Sequence, residues 1–204
     1  MTKVYVVRHG NTFDKGDVVT RVGARTDLPL SRSGQRQAQA LAAHFANTVI
    51  GGFRAAYCSP LRRTRETAEI ILAAYPAGTD LSEVEFLREV DYGPDENQPE
   101  EDVVRRIGEA ALQAWETDAI PPDGWDIELE QVRTAWAEFL AVLSESESDQ
   151  PILIVTSNGI ARFALDVIAH DGERPAAIKL KTGAYGVIEL SDKTPMLRSW
   201  NIRP

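Results

Sequence analysis

Short apolar runs that alternate with longer amphipathic ones constrain the fold of this chain most. KVYVVR at 3–8 and PILIVTS at 151–157 are strand-like runs, rich in β-branched residues. Segments with helical periodicity lie between the strand-like runs, and this alternation is typical of layered α/β folds. We therefore predict an α/β fold with a mostly parallel central sheet.

Two amphipathic helices are predicted in the first half of the chain. Residues 33–49 place Ala38, Leu41, Ala42 and Phe45 on one helical face, and residues 61–75 turn Ala68, Ile71, Leu72 and Tyr75 inward. Strands are predicted at 53–59, 184–190 and 196–202, the last two paired antiparallel through SDKTP, and a helix at 158–170.

An acidic segment at about 94–146 interrupts this alternation. It has no strand signal, and we predict two helices separated by the turn PPDGW, forming a helical insertion beside the sheet. Trp115, Trp125 and Trp136 are expected to pack within it, with the alternative that one of them lines the substrate mouth. Without repeats or a linker, residues 1–204 are predicted to form one domain.

The charge and cysteine content exclude some function classes. The net charge is −9, with 12 Lys and Arg against 10 Asp and Glu in residues 1–93, and 10 against 21 afterwards. This balance argues against a nucleic-acid partner, although an anion site in the first half is compatible with it. One cysteine, no membrane-length apolar run and no signal peptide indicate a cytoplasmic protein without a membrane partner.

Three loops that follow predicted strands carry the candidate functional residues. They are RHGNT at 8–12, SPLRRTRETA at 59–68 and SNGIAR at 157–162. In open α/β sheets, ligands bind outside the carboxyl ends of the strands, so these loops are expected to converge. They would bring Arg8, His9 and Arg62 together with the helix start at Asn158.

These residue types suit a phosphoryl group. Guanidinium groups match phosphate oxygens, and a helix start adds backbone N–H donors. A neutral imidazole held in one tautomer can attack phosphorus, while Gly10 would allow a sharp turn and a close substrate. We expect Arg63 and Arg65, beside Arg62, to lie on a solvated helix face.

The motifs VVRHGNT, SPLRRTRETA and LREVDYG, in this order, resemble the histidine phosphatase superfamily in its phosphoglycerate-mutase-like branch. The resemblance covers residues 4–93 and continues more weakly at 152–162 and 179–190. It implies a three-layer α/β/α fold of the phosphoglycerate-mutase type. It also implies a phosphohistidine intermediate that forms without a metal or other cofactor.

The resemblance also assigns roles to individual residues. His9 would be the nucleophile, Arg8 and Arg62 would clamp the phosphoryl group, and Glu89 would donate a proton to the leaving oxygen. A carboxyl group shielded by the insertion can stay protonated near neutral pH, which agrees with that role. Asp91, two residues further on, is the alternative donor.

The sequence departs from the family pattern at Ser157. The family places a second histidine there, which as a cation donates a hydrogen bond to the phosphoryl oxygens. Serine can donate one uncharged bond, or it can simply cap the following helix, and both readings stay open. His44 and His170 are poor replacements. Lys15 stands where related mutases tend to have asparagine, so its ammonium group could restore some of the missing positive charge. The residues predicted to bind phosphate are Arg8, Asn11, Lys15, Arg62, Ser157 and Asn158.

The sequence thus favours a metal-independent phosphatase that acts on a small phosphorylated metabolite through phospho-His9. A phosphomutase uses the same chemistry but needs the phosphoenzyme to outlive product exchange. A family member weakened by Ser157 could instead bind a phosphorylated ligand or protein as a sensor or scaffold. A weaker alternative is an interaction protein that uses the acidic insertion. The oligomeric state stays open.

Overall fold

A computed structural model describes residues 1–76, 78–146, 148–172, 175, 177–191 and 194–204. Within these residues, seven strands form one sheet: β1 (Lys3–Arg8), β2 (Ala55–Cys58), β3 (Leu81–Glu83), β4 (Ile152–Thr156), β5 (Ala169–His170), β6 (Tyr185–Glu189) and β7 (Met196–Ile202). The described helices are α1 (Arg32–Thr48), α2 (Arg62–Leu72), α3 (Glu100–Ile107), α4 (Glu109–Asp118), α5 (Leu129–Ser144) and α6 (Asn158–Ala161).

The sheet has the strand order β3-β2-β4-β1-β6-β7-β5. The first four strands in this order run parallel, β6 is antiparallel to both of its neighbours, β1 and β7, and the two-residue β5 pairs parallel with β7. The mostly parallel sheet and the antiparallel pairing of β6 with β7 are therefore as predicted. The parallel strands β1, β2 and β4 end at one edge, so the three candidate loops leave the sheet together.

Two apolar cores cover the two faces of the sheet. On one face, α1 and α2 pack on β1, β2 and β4, and the predicted inward residues Leu41, Phe45 and Ile71 are fully buried. On the other face, α4 and α5 bring Trp115 and Trp136 against β1 and β4. The sheet between two helical layers confirms the α/β/α architecture.

The structure differs from the sequence-based predictions in the segments 94–146 and 158–170. The 94–146 segment contains three described helices instead of two, because Gly108, with φ of 82°, separates α3 from α4. The helix predicted at 158–170 ends as α-helix at Ala161 and continues as a 3₁₀ turn to Asp166, after which β5 follows. The β-branched pair Val167 and Ile168 favours that change.

Strand β3 has only three residues and was not predicted. The predicted turn SDKTP includes residues 192 and 193, which lie outside the described residues. Among the described helices, none combines the length and apolar character needed to span a bilayer. The assignment of residues 1–204 to one domain stays a prediction.

Candidate active site

The loop after β1 lies directly on the start of α1. A Cβ on Gly10 would be 2.4 Å from the carbonyl oxygen of Gly34, and one on Gly34 would be 2.0 Å from the carbonyl oxygen of Asn11. These glycines therefore let two backbones touch. Gly10 is required by this helix contact, and the close approach of a substrate to its backbone stays a prediction.

His9 is held in one tautomer. Its Nδ1 lies 2.7 Å from the carbonyl oxygen of Gly10, which can only accept, so Nδ1 carries the proton. The lone pair is then on Nε2, which accepts a hydrogen bond from Arg63 Nε at 3.2 Å. Burial, followed by the charges of Arg63 and Arg8, holds the pKa of His9 well below its usual range. The ring is therefore neutral and its nucleophilic nitrogen is defined.

The low pKa of His9 predicts a pH-dependent stability. As the pH falls below about 6.5, the unfolded chain takes up a proton at this position and the folded chain does not, so the free energy of unfolding decreases. The contribution is at most about 1.4 kcal/mol per pH unit. Urea unfolding between about pH 7.5 and 5 should give a shallower pH slope for His9→Ala than for the wild type. His170→Ala serves as control, and equal slopes for His9→Ala and the wild type would refute the prediction.

Arg63, and not Arg62, is the arginine of α2 that reaches His9. Arg63 is 1% exposed, and its other nitrogens donate to the carbonyl oxygens of Thr26 and Gly23. Arg62 has a side chain that is 53% exposed and pairs with Glu66 at 2.5 Å. The role predicted for Arg62 is therefore corrected, because the helix phase turns Arg62 toward solvent and Arg63 inward.

Arg8 supplies the second guanidinium. Its Nη1 donates to the carbonyl oxygen of Leu180 at 2.8 Å, while its Nε is buried without a hydrogen-bond partner among the described residues. Burial lowers the pKa of both Arg8 and Arg63. A guanidinium stays protonated in proteins, so both side chains carry a positive charge. Buried donors of this kind are costly unless an anion satisfies them.

Glu89 and Asp91 lie in different surroundings. Glu89 is 7% exposed, and its carboxylate accepts backbone N–H bonds from Val90 at 2.9 Å and from Gly159 at 3.2 Å. A Cβ on Gly159 would be 2.0 Å from Glu89 Oε1, so the glycine makes room for the carboxylate. Asp91 pairs with Arg25 at 2.8 Å and does not line the cavity that contains His9.

The segment after β4 contributes Asn158. Its Oδ1 accepts the backbone N–H of Leu180 at 2.7 Å, so the two donors of Nδ2 are the free end of the amide. The two backbone groups of Leu180 thus hold Asn158 and Arg8 together.

Ser157 is fully buried, makes no side-chain capping bond, and its Oγ has no partner among the described residues. Ser157 does not line the cavity.

One cavity of about 530 Å³ collects the site residues. Of the predicted residues, it is lined by Arg8, His9, Asn11, Lys15, Glu89 and Asn158, whereas Arg62 and Ser157 lie outside its wall. His44 bonds to the Tyr185 hydroxyl and His170 to the Leu165 carbonyl oxygen, so both lie away from this cavity.

The cavity also contains residues that the sequence did not reveal. Besides Arg63, they include Arg21, Trp115, Glu116 and Lys179. The predicted tryptophan packing is confirmed, since Trp115 and Trp136 are at most 1% exposed, but Trp115 also forms part of the cavity wall. The only signal for Arg63 was its spacing of four and eight residues before Thr67 and Ile71 on the buried helix face.

Comparison with known proteins identifies the family to which the chain is similar. The chain matches the histidine phosphatase superfamily (branch 1) over residues 4–203. It is 26% identical to the adenosylcobalamin/alpha-ribazole phosphatase of Escherichia coli (strain K12), over 98% of this chain and 96% of that protein. It is 29% identical to a 2,3-bisphosphoglycerate-dependent phosphoglycerate mutase of Parvibaculum lavamentivorans, over 95% of this chain and 92% of the mutase.

A solved structure shows the same fold. The mycobacterial glucosyl-3-phosphoglycerate phosphatase superposes with a TM-score of 0.78 at 20% identity, covering 100% of both chains. The relatives include phosphatases and mutases, so the comparison supports phosphoryl chemistry of this general type. With the matching sequence pattern over nearly its whole length, the chain belongs to branch 1 of the histidine phosphatase superfamily.

Proposed function

We propose that this protein is a metal-independent phosphoric monoester hydrolase that forms a phosphohistidine at His9. The observation that carries the proposal is the neutral His9 ring, whose Nε2 lone pair lies beside the buried guanidinium of Arg63. A small phosphorylated metabolite is the expected substrate class. Arg8 and Arg63 bind the phosphoryl oxygens, with Asn11, Lys15 and Asn158 as further donors at the cavity wall.

In the first step, His9 Nε2 attacks phosphorus, and the bond between phosphorus and the ester oxygen breaks. Glu89, in its protonated form, transfers its proton to that oxygen, so the product leaves as an alcohol. The proton stays on Nδ1, and its hydrogen bond to the carbonyl oxygen of Gly10 keeps the ring oriented. Arg63, which donates to Nε2, shifts its hydrogen bond to a phosphoryl oxygen.

In the second step, a water molecule attacks the phosphorus of phospho-His9. Glu89, now a carboxylate, takes a proton from this water, and the bond between Nε2 and phosphorus breaks. Inorganic phosphate leaves, and the neutral imidazole and protonated Glu89 are restored. A phosphomutase would instead return the phosphoryl group to a second hydroxyl, which requires a phosphoenzyme that resists water.

Because Ser157 stands where the family has a histidine, the site lacks one cation that would donate to the oxygens of the transferred phosphoryl group. Loss of one such donor costs on the order of 10²–10³ in rate where it has been measured. In this site we propose that the oriented Nδ2 donors of Asn158 and the exposed ammonium of Lys15 compensate in part. Arg162, 1% exposed and close enough to Arg8 to lower its pKa, adds positive potential from behind the cavity.

Phosphate release from a panel of phosphomonoesters, with a chelator present, tests the proposed function. We expect release from at least one ester and no loss of rate with the chelator. Loss of activity with the chelator would contradict metal independence. No release from any ester by a folded protein that still binds vanadate would favour the alternative, a sensor or scaffold for phosphorylated ligands, for which the uncharged Ser157 is the supporting observation.

Glu89 is proposed as the proton donor, and the leaving group of the substrate tests this role. For Glu89→Gln, we expect kcat/KM to fall about 10²-fold for an alkyl phosphate, whose alkoxide needs a proton. The fall should be much smaller for p-nitrophenyl phosphate, whose leaving group needs none. Asp91→Asn is the matched control and should leave both rates nearly unchanged. Equal losses for the two esters in Glu89→Gln, or the leaving-group effect in Asp91→Asn, would contradict the assignment.

A further inference from the structure

The cavity has an outer part formed by six charged side chains. We call the outer rim the set of three cations and three carboxylates that line the cavity and make no hydrogen bond to His9: Asp14, Lys15, Arg21, Glu100, Glu116 and Lys179. They come from the loop between β1 and α1, from α3 and α4, and from the loop before β6. If the phosphoryl group binds at His9 as proposed, the rest of the substrate contacts cavity residues of this kind.

Two of the three rim cations are already paired with rim carboxylates. Arg21 contacts Glu100 at 2.6 Å, and Lys179 contacts Glu116 at 2.7 Å. Arg21 has a side chain that is only 13% exposed, and its guanidinium carbon is 5.3 Å from the ring centroids of both Tyr92 and Trp125. An anion that approached Arg21 would have to compete with a carboxylate in a largely fixed arrangement.

The outer rim therefore has three positive and three negative charges, and it is net negative when Lys15 binds the phosphoryl oxygens as proposed above. Asp14 stays ionised, because hydrogen bonds from Ser33 lower its pKa to about 2. The inner part differs, since Arg8 and Arg63 face the single carboxylate of Glu89 beside a neutral His9. The surplus positive charge lies at the phosphoryl end of the cavity only.

We infer that the substrate is a phosphomonoester whose remaining part is uncharged and carries hydroxyl groups, such as a polyol or sugar phosphate. The inference rests on the proposed function and names the substrate class of the same site. Hydroxyl groups can donate to Glu100 and Glu116 and accept from Lys179 without breaking either ion pair. A carboxylate or a second phosphate would have to displace Glu100 from Arg21 or Glu116 from Lys179, which disfavours such substrates.

Two esters that differ at one carbon test the inference. Glycerol 3-phosphate has a hydroxymethyl group where 3-phosphoglycerate has a carboxylate. We expect kcat/KM to be at least about tenfold higher for glycerol 3-phosphate, corresponding to about 1.4 kcal/mol. A preference for 3-phosphoglycerate, or for the cationic ester phosphoethanolamine, would overturn the inference and leave the proposed hydrolase intact.

Binding to His9→Ala separates this inference from the proposed function. Calorimetry with the same esters measures recognition without turnover, so it is informative even if no ester is hydrolysed. We expect glycerol 3-phosphate to bind more tightly than 3-phosphoglycerate. The reverse order would contradict the inference whatever the fate of the hydrolase proposal.

Removal of one rim carboxylate should change the selectivity. In Glu116→Gln, Lys179 loses its partner, and we expect kcat/KM for 3-phosphoglycerate to rise about fivefold relative to glycerol 3-phosphate. Glu109→Gln removes the same charge from an exposed position on the same helix, outside the cavity, and should leave the ratio unchanged. An unchanged ratio in Glu116→Gln, or an equal rise in both variants, would refute the role of the rim.

Discussion

His9→Ala is expected to reduce phosphate release by about 10⁴-fold or more, the scale seen when a covalent nucleophile is removed. The reason is that Nε2 is the atom that bonds to phosphorus in both steps, and no other described histidine lines the cavity. Phosphate binding should be affected much less, because Arg8 and Arg63 remain. The measurements are kcat on the best ester of the panel and the Kd for vanadate.

The control for this variant is His170→Ala, which removes a half-buried histidine in another part of the structure. Its kcat should equal that of the wild type. Turnover by His9→Ala at more than a few per cent of the wild-type rate would mean that water attacks the ester directly. The phosphohistidine mechanism would then be wrong for this protein.

Arg63→Met should reduce kcat/KM by about 10²–10³-fold, whereas Arg62→Met should change it little. Arg63 is fully buried and donates to His9 Nε2. Its guanidinium can therefore donate to the phosphoryl oxygens when negative charge develops on them. Arg62 is paired with Glu66 at the surface, where loss of an ion pair has a small effect. The two adjacent arginines thus form a matched pair of variants.

Arg63 also donates to two backbone carbonyl oxygens, so its loss could affect folding. Arg63→Lys keeps the charge without the planar fork, and we expect it to recover only part of the activity with a similar thermal midpoint. If Arg62→Met were the more damaging variant at equal stability, the assignment of the phosphate clamp to Arg63 would be refuted.

The sequence predicted the architecture well because the buried strands carry an unmistakable pattern. The run ILIVT forms β4 with every residue buried, and helix α1 buries Ala38, Leu41, Ala42 and Phe45 as its periodicity indicated. Strands β3 and β5 have only three and two residues, which is too short for any periodic signal. Their positions are set by pairing with β2 and β7.

The choice between Arg62 and Arg63 shows what a motif leaves undecided. The sequence identifies a cluster of arginines after a strand, but which of them is buried depends on the rotation of α2. The apolar face gives that rotation: Ile71 and Thr67 are buried, and Arg63 lies one turn earlier on the same face. Extending the periodicity to polar residues would have selected Arg63.

The outer rim could not be predicted from the sequence. Arg21, Glu116 and Lys179 lie far apart in the chain, the family resemblance assigns none of them a role, and they look like ordinary surface charges. Only the packing of the insertion beside the sheet brings them to one cavity. The proposed substrate selectivity therefore depends on how distant segments of the chain pack together. The proposed nucleophile, His9, is already indicated by the tripeptide Arg8-His9-Gly10.

The central claim is the covalent intermediate, and trapping it is the most direct test. The protein is mixed with a hydrolysed ester, quenched in alkali within milliseconds, and examined by mass spectrometry, because phosphohistidine is stable in base and labile in acid. We predict a chain heavier by one phosphoryl group, with the modification on the peptide that contains His9, and none in His9→Ala. An unmodified chain during active turnover, or a phosphoryl group on another residue, would contradict the account.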